Sequence, residues 1–108
     1  MIGARELETM KPSAYFINVG RGATVDETAL AQALRDKRIA GAAVDVFAQE
    51  PPPAGHPLYA LDNVIVSPHV SGFLPSYDDK CAELFAENLR RYLAGQPLLN
   101  LVDRARGY

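Results

Sequence analysis

Residues Ala14 to Gly22 read AYFINVGRG, a largely apolar run that ends with an arginine set between two glycines. The run Ala14–Val19 is nearly continuous in apolar character rather than alternating, as expected of a strand covered on both faces. Gly41–Phe47 (GAAVDVF) and Asn63–Ser67 (NVIVS) share this character. A parallel sheet is the natural host for all three. Between the first two lies DETALAQALRDKRIAG, which predicts a helix. Asp26 serves as its N-cap, Glu27 sits in the first turn, and Leu30, Ala33 and Leu34 share one face, with Lys37 and Arg38 near the end before Gly41. Strand, helix, strand in this order closes with a right-handed crossover and brings the carboxyl ends of the strands to one edge.

Outward from that unit, Gln49–Pro57 (QEPPPAGHP) is too rich in proline for a helix or a central strand and reads as a stiff loop. Ser76 and Asp79 form a start signal for a last helix, whose apolar face holds Cys81, Leu84, Phe85, Leu89 and Tyr92 and which Gly95 and Pro97 end. The tail PLLNLVDRARGY is mixed in character and suits a docking arm.

The chain has 108 residues, so one domain is the ceiling, and its formal charge is -2. Charges are interspersed, with no basic stripe of the kind that phosphate backbones require, so nucleic acid is not an expected partner. Cys81 is the only cysteine, which excludes an internal disulfide and a multi-cysteine zinc cluster, and no metal site is expected. The opening MIGARELETMK lacks the apolar core of a signal peptide, and no stretch is long enough to span a bilayer. A cytoplasmic protein without a membrane partner is the expectation.

Three polar residues follow the three strands: Arg21, Glu50 and His69. Ligands of open α/β sheets gather outside the carboxyl edge, so these three are expected to converge there. A guanidinium presents a fixed fork of donors that matches a carboxylate. A histidine titrates near neutrality and can exchange a proton with a carbonyl or an alcohol. A neighbouring carboxylate orients the ring and favours its charged form. The set therefore describes proton-coupled reduction of a 2-oxo acid, and Gly20 and Gly22 would let the backbone approach a ligand closely. Taken singly, each has a plainer reading: Arg21 as a surface ion-pair partner, Glu50 as a solvated loop carboxylate, His69 as structural and His56 as a loop histidine. Asp45, inside an apolar run, must be paired or hydrogen-bonded, and a cofactor amide is one available partner.

The succession INVGRG, GAAVDVFAQEP, the proline loop with HPL, and NVIVSPHVSG resembles the C-terminal half of the nucleotide-binding domain of D-isomer-specific 2-hydroxyacid dehydrogenases. The ending VDRARGY is similar to that of the glyoxylate/hydroxypyruvate reductase branch. The resemblance covers essentially the whole chain. It implies an α/β fold, the C-terminal half of a Rossmann-type doubly wound parallel sheet over residues 1–95, followed by an arm over 96–108 that returns to a substrate domain. It also implies roles. Arg21 would bind the substrate carboxylate and carbonyl, His69 would be the general acid/base, and Glu50 would hydrogen-bond that histidine. Asp45 would contact the nicotinamide carboxamide, Val19, Gly20, Val70, Ser71 and Gly72 would line the nicotinamide pocket, and Arg21 and His69 would border the cofactor as well as the substrate.

The departures carry expectations too. The family's glycine-rich turn and the residue that holds the adenosine ribose are absent, so NAD or NADP should bind this chain weakly by itself. An open apolar sheet edge is expected, and with it a homodimer, a complementing N-terminal half, or a chain cut from a longer protein. GFLPSYDD replaces a threonine-led helix start after the histidine, which implies altered substrate surroundings. Against the oxidoreductase stand a nucleotide-sensing module without turnover and a remnant without function. The acidic balance, the Arg/Glu/His set and the tail favour the enzyme.

Overall fold

Three parallel strands, Tyr15–Asn18 (β1), Gly41–Val44 (β2) and Val64–Val66 (β3), form one sheet in the order β1-β2-β3 in the computed structural model, which describes residues 1–106. The register sets Phe16 beside Ala42 and Ala42 beside Val64, and on the opposite face Ile17 beside Ala43 and Ala43 beside Ile65. The helix Ala4–Thr9 (α1) precedes the sheet, Glu27–Arg35 (α2) joins β1 to β2, and Tyr77–Leu93 (α3) follows β3. The fold expected from the sequence, α/β with three parallel strands, is the one observed.

The α2 helix starts as expected, because the Asp26 carboxylate accepts from the Thr28 and Ala29 N–H groups at 3.0 Å each. Its buried face is Leu30, Ala31 and Leu34, with Ala33 only partly buried. These residues pack with Leu7 of α1, Ala42 and Val44 of β2, and Phe47 and Leu58 in one core. Complete burial of a leucine such as Leu30 or Leu34 contributes about 1.5–3 kcal/mol.

The sheet departs from expectation in its coverage. Phe16, Asn18, Val44, Val64 and Val66 face the core side, whereas Tyr15, Ile17 and Ile65 on the other face are 69%, 66% and 73% exposed. The cause is topological. The β1–α2–β2 crossover lays α2 on one face, and the β2–β3 connection adds a 3-10 turn, Pro57–Ala60, that contacts α2 and β3 on that same face. Apolar runs with the composition of doubly covered strands thus have one covered face here.

The chain divides into two compact units, Met1–Gly72 and the segment from Phe73 onward, and the 95/96 boundary drawn from the sequence falls inside the second. In that second unit α3 begins at the position expected, but the Ser76 side chain makes no capping bond; Asp78 and Asp79 supply the negative charge in the first turn instead. Gly95 ends the helix with φ of 65°, a left-handed conformation that glycine adopts without a Cβ penalty. The tail is tied back to α3, since Asn88 accepts from the Leu99 N–H at 2.7 Å and donates to the Leu99 carbonyl at 3.3 Å. Gly107 and Tyr108, the last residues of VDRARGY, lie outside the described residues. No helix among the described residues is long and apolar enough to cross a membrane.

Candidate active site at the carboxyl edge of the sheet

The turn after β1 is built by Asn18, which is buried on the core face. Its Oδ1 accepts from Gly20 N–H at 3.1 Å and its Nδ2 donates to the Arg21 carbonyl at 3.3 Å, while the Thr24 hydroxyl donates to the same carbonyl at 2.6 Å. The Thr24 N–H donates to that carbonyl as well, at 3.1 Å, so three bonds fix the Arg21 carbonyl and a fourth fixes Gly20 before it. The guanidinium itself is exposed and donates through one nitrogen to the Gly20 carbonyl at 2.7 Å. Among the described residues it forms no salt bridge, so most of its donor fork remains turned to solvent.

Beyond β2 and β3 the central group is Asp45, which is 3% exposed. Its Oδ1 accepts from the Ser67 hydroxyl at 2.5 Å and from Val70 N–H at 3.0 Å, and its Oδ2 from Ser71 N–H at 2.9 Å. The Ser67 and then the Ser71 side chain, with the two N–H groups behind them, hold this carboxyl well below the ordinary aspartate range despite desolvation. The partner that Asp45 required is thus supplied inside the chain. Its carbonyl also accepts from His69 N–H at 2.8 Å, so one residue secures the whole turn that carries the histidine.

His69 has φ of 55°, in the left-handed region that non-glycine residues seldom occupy and that costs on the order of 1–3 kcal/mol. The bonds to Asp45 hold it there. In this pose its Nδ1 meets Glu50 Oε2 at 2.7 Å, and the other Glu50 oxygen accepts from Phe47 N–H at 2.9 Å. The Glu50 carboxyl lies below the ordinary glutamate range, chiefly through the hydrogen bond from His69 and next through Phe47 N–H; desolvation opposes the shift, and the charges of His69 and Arg21 add to it. Because the folded pKa is depressed, what Glu50 contributes to this turn is complete above the unfolded value of about 4.3 and is lost as pH falls through the lowered one. With Nδ1 occupied by the carboxylate, Nε2 is the nitrogen left for a reacting group. An open cleft of about 440 Å³ lies beside the pair, walled by Phe47, Tyr59, Val66 and Pro68.

Of the residues singled out from the sequence, Glu50 and His69 are in direct contact and Arg21 is near enough for its charge to act on Glu50. Asp45, Val70 and Ser71 meet in the turn below them. Val19 is exposed at the end of β1, Val70 is partly exposed, and a Cβ placed on Gly72 would meet nothing within 4 Å. Gly22 serves a different purpose from the one expected. A Cβ there would lie 1.9 Å from the Phe47 carbonyl carbon and 2.2 Å from the Ala48 nitrogen, so this glycine admits the backbone after β2 rather than a ligand. His56 lies in the loop as expected, at the start of its 3-10 turn, but it is buried, 9% exposed, and bonded to Glu27 across 29 residues of sequence. Asn18 had no signal in the sequence beyond being a polar residue inside an apolar run.

Comparison with known proteins agrees with this fold. The family described as D-isomer specific 2-hydroxyacid dehydrogenase, NAD binding domain, matches residues 1–71. A glyoxylate reductase of Thermofilum pendens is 44% identical over 104 residues, which cover 96% of this chain and 31% of that protein. A D-isomer specific 2-hydroxyacid dehydrogenase of Xanthobacter autotrophicus, solved in complex with NADPH and MES, superposes with a TM-score of 0.89 at 48% identity, covering 99% of this chain and 43% of the other. An NADPH-dependent glyoxylate/hydroxypyruvate reductase of Sinorhizobium meliloti, in complex with NADP and malonate, gives a TM-score of 0.81 at 37% identity over 94% of this chain. The chain spans about a third of the length of the curated relatives it matches.

Proposed function

The chain belongs to the D-isomer specific 2-hydroxyacid dehydrogenase family, and on that premise we propose that it contributes the acid/base edge of an NAD- or NADP-dependent reductase acting on a small 2-oxo acid of the glyoxylate or hydroxypyruvate type. The observation that carries this reading is the His69–Glu50 bond of 2.7 Å, with the exposed Arg21 guanidinium, whose charge reaches Glu50, after the neighbouring strand.

The residues present suit the nicotinamide end of such a cofactor. Val19 and Val70 offer exposed apolar surface at the strand ends, Gly72 leaves open space, and a Cβ on Gly20 would only reach ordinary contact with Asn18 Oδ1 at 3.6 Å. They do not suit its pyrophosphate, since among the described residues no glycine-rich turn opens a helix toward this edge. When bound, the cofactor supplies the hydride that reaches C2 of the substrate. Arg21 holds the substrate carboxylate through paired N–H donors and orients the carbonyl. His69 donates the Nε2 proton to the carbonyl oxygen as negative charge develops there, and takes it back in the reverse direction. Glu50 keeps the proton on Nδ1, fixes the ring plane and balances the imidazolium charge. Asp45 holds the backbone of the turn at Val70 and Ser71, with the nicotinamide amide as its further contact on this reading.

The experiment that tests the assignment is Arg21→Ala in the protein that carries this chain. Turnover of glyoxylate and hydroxypyruvate should fall at least about a hundredfold while nicotinamide cofactor binding is kept. Unchanged turnover would remove Arg21 from the site, and a cofactor-dependent partner interaction in a protein that never turns over would favour a sensing module.

The exposure of Tyr15, Ile17 and Ile65 supports a partner for the outer sheet face, either a second copy or a chain that supplies the remainder of the sheet. The isolated 108-residue chain should therefore self-associate at micromolar concentration. A single monomeric species in light scattering would contradict this.

A further inference from the structure

Glu27 is the first residue of α2, where a carboxylate ordinarily serves the helix dipole. Here the helix N–H groups are already taken by Asp26, and both Glu27 oxygens reach other segments. Oε1 accepts from Ala48 N–H at 2.7 Å, and Oε2 meets His56 Nε2 at 3.2 Å. His56 Nδ1 in turn accepts from Leu58 N–H at 3.4 Å. An imidazole that accepts at Nδ1 carries its proton on Nε2, so the partners select one neutral tautomer, with Nε2–H donating to Glu27. The His56 ring stands edge-on to Phe47, with centroids 5.1 Å apart and planes at 83°.

All of this converges on one peptide unit, Phe47–Ala48. Glu27 holds its Ala48 N–H, His56 packs on the Phe47 ring, and the Cβ-less Gly22 closes its other side. The Phe47 N–H is the donor that fixes Glu50 Oε1, while Glu50 Oε2 holds His69. We infer that Glu27 and His56 are positioning residues, a clamp that seats the Phe47–Ala48 peptide and thereby aims Glu50 at His69 Nδ1. The inference rests on reading Glu50 and His69 as the proton-handling pair. A movement of Ala48 would carry the adjacent Phe47 N–H away from Glu50, and sub-ångström errors of this kind weaken general acid/base chemistry.

The test uses nuclear magnetic resonance on the protein that carries this chain, as wild type, E27A and E27Q, with Leu34→Ala as a control for loss of core stability alone. In the wild type the Ala48 amide is protected from exchange. In both Glu27 variants that protection falls at least about tenfold. The Glu50 carboxyl titration then moves up toward that of an ordinary glutamate, and the His69 Nδ1–H signal of a proton bonded to a carboxylate is lost. Leu34→Ala leaves the Glu50 titration in place. An Ala48 amide that exchanges freely in the wild type overturns the inference even if E27A does not fold, and so does an unchanged Glu50 titration in E27Q. None of these readouts requires turnover. A protein that reduces no 2-oxo acid but shows the expected shifts would overturn the functional reading and leave the clamp standing.

Discussion

Replacing His69 by asparagine lowers the rate of 2-oxo acid reduction by about 10²- to 10⁴-fold in the protein that carries this chain, the range over which a positioned proton donor acts. Asparagine is the informative replacement because position 69 has φ of 55°, and asparagine is among the few residues enriched in that region. Its amide can occupy the place of the ring without exchanging a proton at neutral pH. The N–H of residue 69 still donates to the Asp45 carbonyl, so the turn persists and cofactor affinity should stay within about twofold. A loss smaller than about tenfold would mean that the proton comes from elsewhere. A comparable loss of cofactor affinity would mean that His69 holds the turn rather than the proton.

Gly22→Ala is the substitution with the largest expected structural effect. The added Cβ would lie 1.9 Å from the Phe47 carbonyl carbon and 2.2 Å from both the Phe47 oxygen and the Ala48 nitrogen. These are backbone atoms, and no rotamer change relieves the overlap. The turn carrying Arg21 must therefore separate from the segment leading to Glu50. Overpacking of this severity belongs at the upper end of the usual range, about 3 kcal/mol or more. For a unit of this size that is a fall in melting temperature of roughly 12 °C or more. A fall below about 4 °C in thermal unfolding would show that the two segments are not in rigid contact. The same contact accounts for the second glycine of the G-R-G sequence: Gly20 spaces the arginine from the strand, and Gly22 docks it against the loop that brings the carboxylate.

The strands and the ends where chemistry gathers were legible because short apolar runs broken by polar residues state both their length and their limits. Arg21, Glu50 and His69 each follow such a run, so their common edge could be read from order alone. Asp45 was legible as a demand, a carboxylate in an apolar run that needed a partner, but Ser67, Val70 and Ser71 became its partners only through the β2–β3 pairing. Glu27 and His56 were not legible. Near α2 an acid reads as a dipole partner, and a histidine between glycine and proline reads as loop, whereas their contacts lie 21 and 29 residues away. Coverage of the sheet was not legible for a related reason. Apolar content in Tyr15, Ile17 and Ile65 reports that a face is suited to burial and does not say which element of this chain lies over it.

The most direct measurement of the central claim is oxidation of NADH and NADPH by the purified natural protein, its intact mass determined on the same sample, with glyoxylate, hydroxypyruvate and an aldehyde of similar size that lacks the carboxylate. Turnover of the 2-oxo acids is expected with at least one of the two cofactors, and turnover of the aldehyde lower by a hundredfold or more, because Arg21 would have no carboxylate to hold. Equal rates with the acids and the aldehyde, or no oxidation of either cofactor by a protein of full family length, would contradict it.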